Sequence, residues 1–497
     1  MLLKRMLCLM MAILLIGLSA FALGEEAPRF SMAGFDGDES PHLWSTNQFF
    51  DRMEARTGIS FSFDEHTDFA KWQAAKAAMF ETGELPDVLF KAELTEDELE
   101  RYTESGQLID LAPLLPEHAP NVWALLEQNP AYREAITLQT GKIGALPGIL
   151  TLTPQNAMWI NHEWLGKVSM DMPTDTDSLR EVLKAFQSMD PNQNGKRDEI
   201  PLAFFGVWDL KFLSHAFGVA MNDYNLYMDD AGQVRYFPLE EGFKAFVTLL
   251  RDLYAEKLLD QNGFYIADTL RVNRDEKQDV LHGVFFGPNP MALYPHEKAK
   301  QYTLLPPLVS GGKQVYRGLV SPVTTGAFAL TSACPDPAAM LRWVDILYTE
   351  AGAIEALAGI EELDYAFDGE GRWQWLADSS QMNDLSLYET GNMPWLFPLE
   401  FYNRYTELEV ERINGELEAL QALTVNPFAN CRPTAAQREE LLALQSELGK
   451  YVDEGLARFV LGQQDITQEN MEVFREGLKE RGADALTAIW QSLANEK

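Results

Sequence analysis

The sequence predicts an α/β protein of two lobes, each built on a mainly parallel sheet flanked by helices, with a helix-rich C-terminal part. The pattern near the start carries this prediction. Residues 29–35 and 59–63 have the composition of strands, and residues 47–57 between them have the pattern of a helix that ends at Gly58. Because parallel strands need a crossover, strands that alternate with helices indicate a parallel sheet covered on both faces.

The length of the chain supports more than one lobe. Its 497 residues exceed the roughly 250–300 residues at which a single hydrophobic core stops growing. No internal repeat and no low-complexity linker interrupts the sequence. We therefore expect lobes joined by chain segments that cross between them, and not independent domains connected in series by linkers.

Capping signals and apolar stripes predict further helices. The segment from Ser178 to Glu181 has the form of a capping box, and Asp336 precedes a proline as a cap would. Thr434 and Gln437 form another box at the start of the helix-rich last third. Two stripes at helical spacing predict buried faces: Leu179, Val182, Leu183, Phe186 and Met189, then Phe243, Phe246, Leu250 and Leu253.

Residues 1–24 have the features of a secretory signal peptide. The basic pair Lys4 and Arg5 precedes an apolar stretch, residues 6–18, and small residues follow it. This stretch is shorter than the roughly 20 apolar residues that span a membrane. We therefore expect cleavage of the signal and a mature protein outside the cytoplasm, either periplasmic or associated with the cell surface.

The charge and the cysteines narrow the possible partners and bonds. The formal net charge of −35 disfavours nucleic acid as a partner, because phosphates repel an acidic surface. Cys8 lies in the signal, which leaves Cys334 and Cys431 in the exported chain. These two can form one disulfide in an oxidising compartment or stay reduced as small apolar residues, and the sequence leaves both states open.

The loop that follows the helix near Met189 has the composition of a calcium site. Calcium takes six to eight oxygen ligands, and oxygens at alternate residues converge where a glycine, here Gly195, permits a sharp turn. The loop departs from the EF-hand pattern because Pro201 stands where that pattern has a bidentate Glu. A solvated polar turn is the alternative. The predicted ligands are Asp190, Asn192, Asn194, the backbone carbonyl of Lys196, Asp198 and Glu199.

Catalytic patterns are mostly missing from the sequence. It contains no phosphate-binding GxxxxGK[ST], no dinucleotide-binding GxGxxG and no GxSxG nucleophile elbow. His162 and Glu163 lack the second histidine of a zinc protease, since residue 166 is glycine. We expect that the protein is not an enzyme. Paired carboxylates of a glycoside hydrolase stay open as a remote alternative.

Aromatic residues in loops suggest a site for sugar rings, whose apolar faces stack on aromatic side chains while their hydroxyls pair with polar groups. Trp44, Trp208 and Trp395 stand in loop contexts and outside helical stripes. Phe90 ends a predicted strand at a carboxyl edge, where ligand crevices form in α/β sheets. Asp36 follows the first strand. We predict that these five residues bind the ligand, although buried structural roles are the common alternative.

Several segments in order resemble the family 1 extracellular solute-binding proteins of ABC importers, particularly the sugar- and oligosaccharide-binding members. The resemblance covers nearly the whole mature chain. The segments that carry it are Thr82 to Val88, Gly141 to Pro147, Trp159 to Leu165 with the calcium-like loop downstream, Trp343 to Tyr348, and Ile489 to Gln491.

The resemblance implies a type II periplasmic-binding-protein fold that traps a carbohydrate, more specifically an oligosaccharide, between two discontinuous lobes. The first lobe would comprise residues 25–152 with 322–380, and the second residues 153–321 with 381–497. The same loop residues would hold a structural calcium ion. The partners implied are the membrane subunits of an ABC permease, with the binding protein itself a monomer.

The resemblance leaves two questions open, the mode of attachment and the exact function. Many members carry a lipobox cysteine at the cleavage site, but Cys8 lies too early for this role, so we expect a mature protein without a lipid anchor. The function could also be that of a ligand-sensing subunit for a membrane receptor, or the ligand could be a peptide or another solute.

Overall fold

The computed structural model describes residues 29–38, 40–152, 156–265, 279–318, 321–376, 384–387, 392–406, 410–428 and 431–495. The predicted signal peptide, residues 1–24, lies outside this part of the chain. The strands in chain order are β1 Arg29–Phe35, β2 Ser60–His66, β3 Val88–Phe90, β4 Leu146–Ile149, β5 Ala157–Asn161, β6 Ile200–Leu202, β7 Leu226–Met228, β8 Val234–Tyr236, β9 His282–Gly287, β10 Tyr302–Leu304, β11 Tyr316–Arg317, β12 Val323–Leu330, β13 Tyr365–Phe367, β14 Trp373–Trp375 and β15 Thr424–Val425.

Helices pack against strands of both larger sheets. Within the described residues, no helix combines the length and apolar character needed to cross a membrane. The described α-helices are Gln48–Thr57, Phe69–Thr82, Glu96–Glu104, Leu115–His118, Pro120–Gln128, Pro130–Ile136, His162–Val168, Thr176–Ser188, Val207–Lys211, Glu241–Ala255, His296–Ala299, Pro337–Asp345, Glu350–Ala358, Leu399–Tyr402, Val410–Gln421, Ala435–Val460, Gln468–Glu480 and Ala483–Asn495.

The first sheet has five strands in the order β2-β1-β3-β12-β4. β1 pairs in parallel with β2 and β3, which confirms the predicted β-α-β start. The intervening helix, Gln48–Thr57, ends at Gly58, whose φ of 69° is the left-handed conformation that glycine adopts without steric cost. β12 runs antiparallel to both of its neighbours.

The second sheet has the order β10-β5-β9-β6. β5 is antiparallel to β10 and β9, and only β6 and β9 pair in parallel. The sheets are therefore mixed, where the sequence predicted mainly parallel ones. The physical reason is that β5 and β12 each enter their sheet after the chain has crossed from the other half, without a crossover helix from a neighbouring strand.

The buried apolar residues divide between the two sheets. One cluster joins residues from Leu152 to Tyr316 with the C-terminal residues from Ile413 to Leu493. Two smaller clusters, around the first sheet, contain buried residues from Phe30 to Leu146 and from Val323 to Tyr405. Met393, Trp395 and Phe401, which the sequence analysis assigned to the second lobe, pack in the core of the first sheet.

The helix start signals are borne out in two of three cases. Asp336 accepts a hydrogen bond from the backbone of Ala339, and Thr434 forms its capping box with Gln437. The box predicted at Ser178 is wrong, because Asp175 is the cap and Ser178 is its partner three residues later. The prediction that Met189 is a core residue is also wrong, since Met189 follows the last turn of this helix and is 56% exposed. The other stripe residues are buried.

The pairing of β1 with β3 depends on Gly34. A Cβ atom at this position would lie 1.6 Å from the carbonyl oxygen of Phe90 and 2.9 Å from the ring of Trp44. We expect Gly34→Ala to lower the free energy of unfolding by about 3 kcal/mol or more, because strands must separate to admit the methyl group. Gly449→Ala is the control, since its Cβ meets nothing within 4 Å and helix propensity favours alanine. Urea denaturation of both variants measures the difference, and equal stabilities would contradict this explanation of Gly34.

Candidate functional site

The crossing segments fix which edges of the two sheets face each other. The chain leaves the first sheet at the end of β4 and enters the second sheet at the start of β5 a few residues later. β5 runs antiparallel to β9, and β4 is antiparallel to β12, which itself returns from the second half. The carboxyl ends of β1, β3, β6 and β9 therefore lie on the sides of the sheets that the crossings join, where α/β proteins bind ligands.

Asp36 lies at this edge, at the centre of a buried polar network. Its carboxylate forms an ion pair with Lys91, with Nζ 2.6 Å from Oδ1, and both side chains are fully buried. The indole Nε1 of Trp44 donates to Asp36 Oδ1 at 2.9 Å and Ser40 Oγ donates to Oδ2 at 2.7 Å. Burial lowers the pKa of Lys91, while Asp36 opposes that shift. Asn392 Nδ2 donates to the carbonyl of Lys91 at 2.7 Å, which fixes the network to a distant segment.

Glu65 extends this network towards the second strand of the sheet. Its Oε2 accepts a hydrogen bond from the backbone of Trp44 at 2.9 Å. Burial raises the pKa of Glu65 to about 7, and the negative charge of Asp36 adds to the shift. Asp36 and Oε2 of Glu65 are thus held in place by backbone and side-chain donors, which indicates a role in fixing the loop after β1. Oε1 of Glu65 has no hydrogen-bond partner among the described residues.

Trp44, Phe90 and Trp395 are buried in the core of the first sheet. Their exposed fractions are 1%, 0% and 4%. The rings of Trp44 and Phe90 meet edge to face, with centroids 5.3 Å apart, and Trp395 packs against Phe397 at 5.5 Å. In this conformation none of these three rings offers an open face to a sugar.

Trp208 differs from the other predicted residues because it is 44% exposed. It lies in a short helix after β6, and its ring packs edge-on against Phe212 at 5.6 Å. The neighbouring Asp209 anchors this turn by accepting hydrogen bonds from the backbone of Phe205 and the side chain of Asn156, both at 2.7 Å. Burial raises the pKa of Asp209 to about 6. The structure therefore separates Trp208 from the buried group around Asp36.

A cavity of about 1110 Å³ lies between elements of the two halves. Helix Glu96–Glu104 forms one wall and packs on the first sheet through Leu99 and Tyr102. Helix Ala435–Val460 forms the opposite wall and packs with the second sheet. The lining residues are Asp97, Glu100, Arg101, Glu104, Ser105, Tyr224, Pro433, Arg438, Glu439, Leu441, Leu442, Gln445 and Trp490.

Tyr224 and Trp490 form the aromatic part of this cavity. Their rings stack with centroids 6.3 Å apart and an interplanar angle of 28°, and Phe428 supports Trp490 edge-on at 5.1 Å. Nε1 of Trp490 and Oε1 of Glu100 have no hydrogen-bond partner among the described residues. Nε of Arg438 also makes no hydrogen bond there, but it forms an ion pair with Asp97. The cavity thus combines a stacking surface with an unpaired donor and an unpaired acceptor.

A series of contacts connects Trp208 with the aromatic wall. Phe212, which packs against Trp208, lies 4.3 Å below the guanidinium of Arg317. Arg317 forms an ion pair with Asp223, the residue before Tyr224. The second half therefore presents Trp208 and Tyr224 on one connected framework.

None of the five predicted ligand residues is among those that line the cavity. Sequence reasoning missed Tyr224 and did not select Trp490 as a site residue, although Trp490 belongs to a segment that carries the family resemblance. Tyr224 has no local signal of its own, because it meets Trp490 only through the packing of the C-terminal helices on the second half.

Arg438 bridges the two walls of the cavity. Its Nη2 lies 2.8 Å from Glu100 Oε2, and its Nε pairs with Asp97. Both carboxylates stand in the first turns of helix Glu96–Glu104, whereas Arg438 stands in the first turn of helix Ala435–Val460. This contact joins the two halves beside the cavity.

The calcium-like loop folds into a tight turn closed by its own side chains. Asp190 accepts hydrogen bonds from the backbones of Asn194 and Gly195, both at 3.1 Å. The amides of Asn192 and Asn194 donate to Asp198 Oδ1 at 3.2 and 3.1 Å. Asp190 and Gly195 have φ angles of 46° and 75°, so the backbone bends as a sharp loop requires.

Two further carboxylates lie at this loop. Oε1 of Glu199 is buried without a hydrogen-bond partner, and burial raises the pKa of Glu199. Asp279, which the sequence did not single out, lies with Oδ2 3.1 Å from the amide of Asn194. Within the described part of the chain, no three His, Cys, Asp or Glu side chains are grouped in a way that would hold a metal ion.

No disulfide joins Cys334 and Cys431 in the structure. Cys334 is buried, and burial raises the pKa of its thiol to about 11. Of the two states that the sequence left open, the structure has the reduced one.

Comparisons with known proteins identify the class to which this fold belongs. No family model matches the chain. The chain is 27% identical over 368 residues to the fructooligosaccharide ABC transporter substrate-binding protein FusA of Streptococcus pneumoniae. The match covers 70% of this chain and 63% of FusA, so the chain spans less than two thirds of the length of that relative.

Solved structures confirm the fold. A human-milk-oligosaccharide (HMO) binding, ABC-transporter associated solute-binding protein of Bifidobacterium longum infantis has a TM-score of 0.79 at 21% identity, over 95% of this chain and 99% of that one. FusA in complex with kestose has a TM-score of 0.73 at 21% identity, over 94% and 99%. The FusA EF-hand mutant, solved with fructo-nystose, has the same TM-score at 20% identity. The chain therefore has the fold of these solute-binding proteins, which is the fold that the sequence resemblance implied.

The relatives are named as substrate- or solute-binding proteins, one of them as an extracellular solute-binding protein. These names agree with the sequence expectations of binding without catalysis and of a location outside the cytoplasm. A second relative, the lipoprotein LipO of Bacillus subtilis, is 33% identical over 124 residues, or 23% of each chain.

Proposed function

We propose that this protein is the extracytoplasmic solute-binding component of an ABC importer and that it captures an oligosaccharide in the cavity between its two halves. The cavity lined by Tyr224, Trp490 and the two facing helices carries this proposal. Its volume of about 1110 Å³ exceeds the roughly 300–1,000 Å³ of pockets for drug-sized ligands. A ligand of more than one sugar ring suits this size.

The chemistry of the wall suits a sugar. Sugar rings have apolar faces, which stack on Tyr224 and Trp490, and hydroxyls, which both donate and accept. The Trp490 indole nitrogen supplies a donor and Glu100 Oε1 an acceptor, and neither has a partner among the described residues. A bound sugar would therefore satisfy buried polar atoms that the protein alone leaves unpaired. Trp208 is a further candidate contact because it is exposed on the same framework.

The two groups of apolar clusters suggest two lobes that move as bodies. We expect these lobes to close around the ligand by a hinge motion, as other binding proteins do. The closed form would be delivered to the membrane subunits of a permease, with the binding protein acting as a monomer. The names of the relatives support this proposal, since FusA was solved with kestose and the bifidobacterial protein is described as HMO binding.

We expect neutral oligosaccharides to bind and to quench or shift tryptophan fluorescence. Trp490→Ala should weaken binding about tenfold or more, because loss of stacking and of one hydrogen bond removes roughly 1.4 kcal/mol or more. Trp375→Ala, in the hairpin of β13 and β14, is the matched control and should bind with the affinity of the parent. Isothermal titration calorimetry over a panel of mono- and oligosaccharides measures these affinities.

Other outcomes of the same titration would contradict the proposal. Binding of peptides alone would remove the sugar assignment, and products after long incubation would favour a glycoside hydrolase. Parent-like affinity of Trp490→Ala, with its fold intact by circular dichroism, would locate the ligand elsewhere. Trp208→Ala in the same series measures whether that ring contributes.

We also propose that the loop from Asp190 to Glu199 holds a structural calcium ion. Its carboxylates, amide oxygens and the carbonyl of Lys196 form the donor set that a hard cation prefers. The unpaired buried oxygen of Glu199 fits this assignment, because a cation would satisfy it. Asp279 supplies a further carboxylate next to Asn194. The FusA structure described as an EF-hand mutant adds support.

Calcium should raise the melting temperature, since a ligand that binds only the folded state stabilises it by mass action. At calcium 100-fold above Kd, we expect chelation to lower the melting temperature by about 5 °C or more. Asp190→Ala should abolish this response, and Asp171→Ala, an exposed aspartate of the same half, should keep it. A parent whose melting temperature is insensitive to both chelator and added calcium would refute the assignment.

The mode of attachment is proposed on the sequence alone. Cys8 stands too early for a lipobox, so the mature protein would carry no lipid anchor, in contrast to the relative LipO, which is named as a lipoprotein. The mass of the processed amino terminus distinguishes a cleaved soluble form from a lipid-modified one.

A further inference from the structure

The charges around the large cavity are unbalanced. Its lining includes four carboxylates, of Asp97, Glu100, Glu104 and Glu439, but only two cationic side chains, those of Arg101 and Arg438. If all six are ionised, the lining carries a net charge of −2. The chain as a whole has a formal charge of −35, which adds a long-range repulsion for anions.

Both arginines of the cavity lining already contact other groups of the protein. Arg438 pairs with Asp97 and Glu100 and donates from Nη1 to the carbonyl of Pro433 at 2.8 Å. Arg101 lies 4.6 Å from the ring of Tyr102 and donates from Nη2 to the Tyr102 hydroxyl at 2.9 Å. An acidic ligand would have to draw Arg438 away from two carboxylates. Arg101 has no carboxylate partner among the described residues, but its single charge stands against those of both Glu104 and Glu439.

The hydrogen-bonding roles of the polar atoms in the cavity wall also distinguish neutral ligands from acidic ones. A carboxylate accepts hydrogen bonds and donates none, so Glu100 Oε1 can pair with a sugar hydroxyl but repels the carboxylate of a uronic acid. Glu104 and Glu439 are exposed at the same cavity and leave their charges without a cationic partner in the lining. A hydroxyl-rich, uncharged ligand meets none of these costs.

We propose that the cavity selects uncharged oligosaccharides and discriminates against acidic ones, such as uronate-containing chains. This inference rests on the proposed function, because it concerns the ligand class of the same cavity. The selectivity arises from the net negative charge of the lining, chiefly the carboxylates of Glu104 and Glu439, and from the ion pairs that Arg438 forms with Asp97 and Glu100.

The test compares matched ligands. The first ligands are kestose and any other neutral oligosaccharide that binds the parent. Each is paired with its own derivative, in which one primary hydroxyl is oxidised to a carboxylate, and the two affinities are compared. At pH 7 and low salt we expect the oxidised form to bind at least tenfold more weakly. The double variant Glu104→Gln and Glu439→Gln should reduce this ratio at least threefold. The control, Glu350→Gln with Glu469→Gln, removes the same number of charges from exposed helix starts outside the cavity lining and should keep the parental ratio.

The outcomes separate the two proposals. Equal or tighter binding of the oxidised ligands would overturn the selectivity while leaving oligosaccharide capture intact. A ratio that stays unchanged in the cavity variant, or that falls equally in the control, would likewise overturn the assignment to Glu104 and Glu439. If no neutral oligosaccharide binds the parent, the proposed function fails, and the selectivity falls with it.

Discussion

The crossing of the chain between its two sheets is the constraint on which the rest of the structure depends. β5 and β12 enter their sheets from the side where the other half lies, so they run against neighbours that end on that side. This connectivity makes the sheets mixed and turns their carboxyl-terminal edges towards the crossings. A space between two separately packed bodies follows from that arrangement, and a ligand can enter it without disturbing either core.

The polar groups near this space have two different roles. Asp36 and Lys91 are fully buried and pair with each other, so their charges are compensated and they hold the loop after β1. Glu100 and Trp490, in contrast, keep polar atoms without partners in the described chain. Unpaired buried atoms cost free energy unless another molecule satisfies them. Because Glu65 Oε1 in the Asp36 network is also without a hydrogen-bond partner among the described residues, the ligand is assigned to the second group on a further ground, namely that this group lines a cavity with a stacked aromatic pair.

The sequence predicted the local features well because local chemistry determines them. Gly58 ends a helix in the left-handed conformation, and Thr434 and Asp336 cap helices, since each depends on residues within one turn. The ligand residues were harder to predict. A tryptophan in a loop such as Trp44 has the same local signal whether it faces solvent or a core, and here long-range packing buries it. Tyr224 and Trp490 meet only through the folding of the C-terminal helices, which no local pattern reveals.

Amide hydrogen exchange with and without a bound oligosaccharide tests the central claim most directly. Because ligand binding suppresses local opening where contacts form, the account predicts slower exchange in helix Glu96–Glu104, in the first turns of helix Ala435–Val460 and around Trp490. Protection confined to the loop after β1 and to the end of β3, with these helices unchanged, would place the ligand at the Asp36 network and contradict the account.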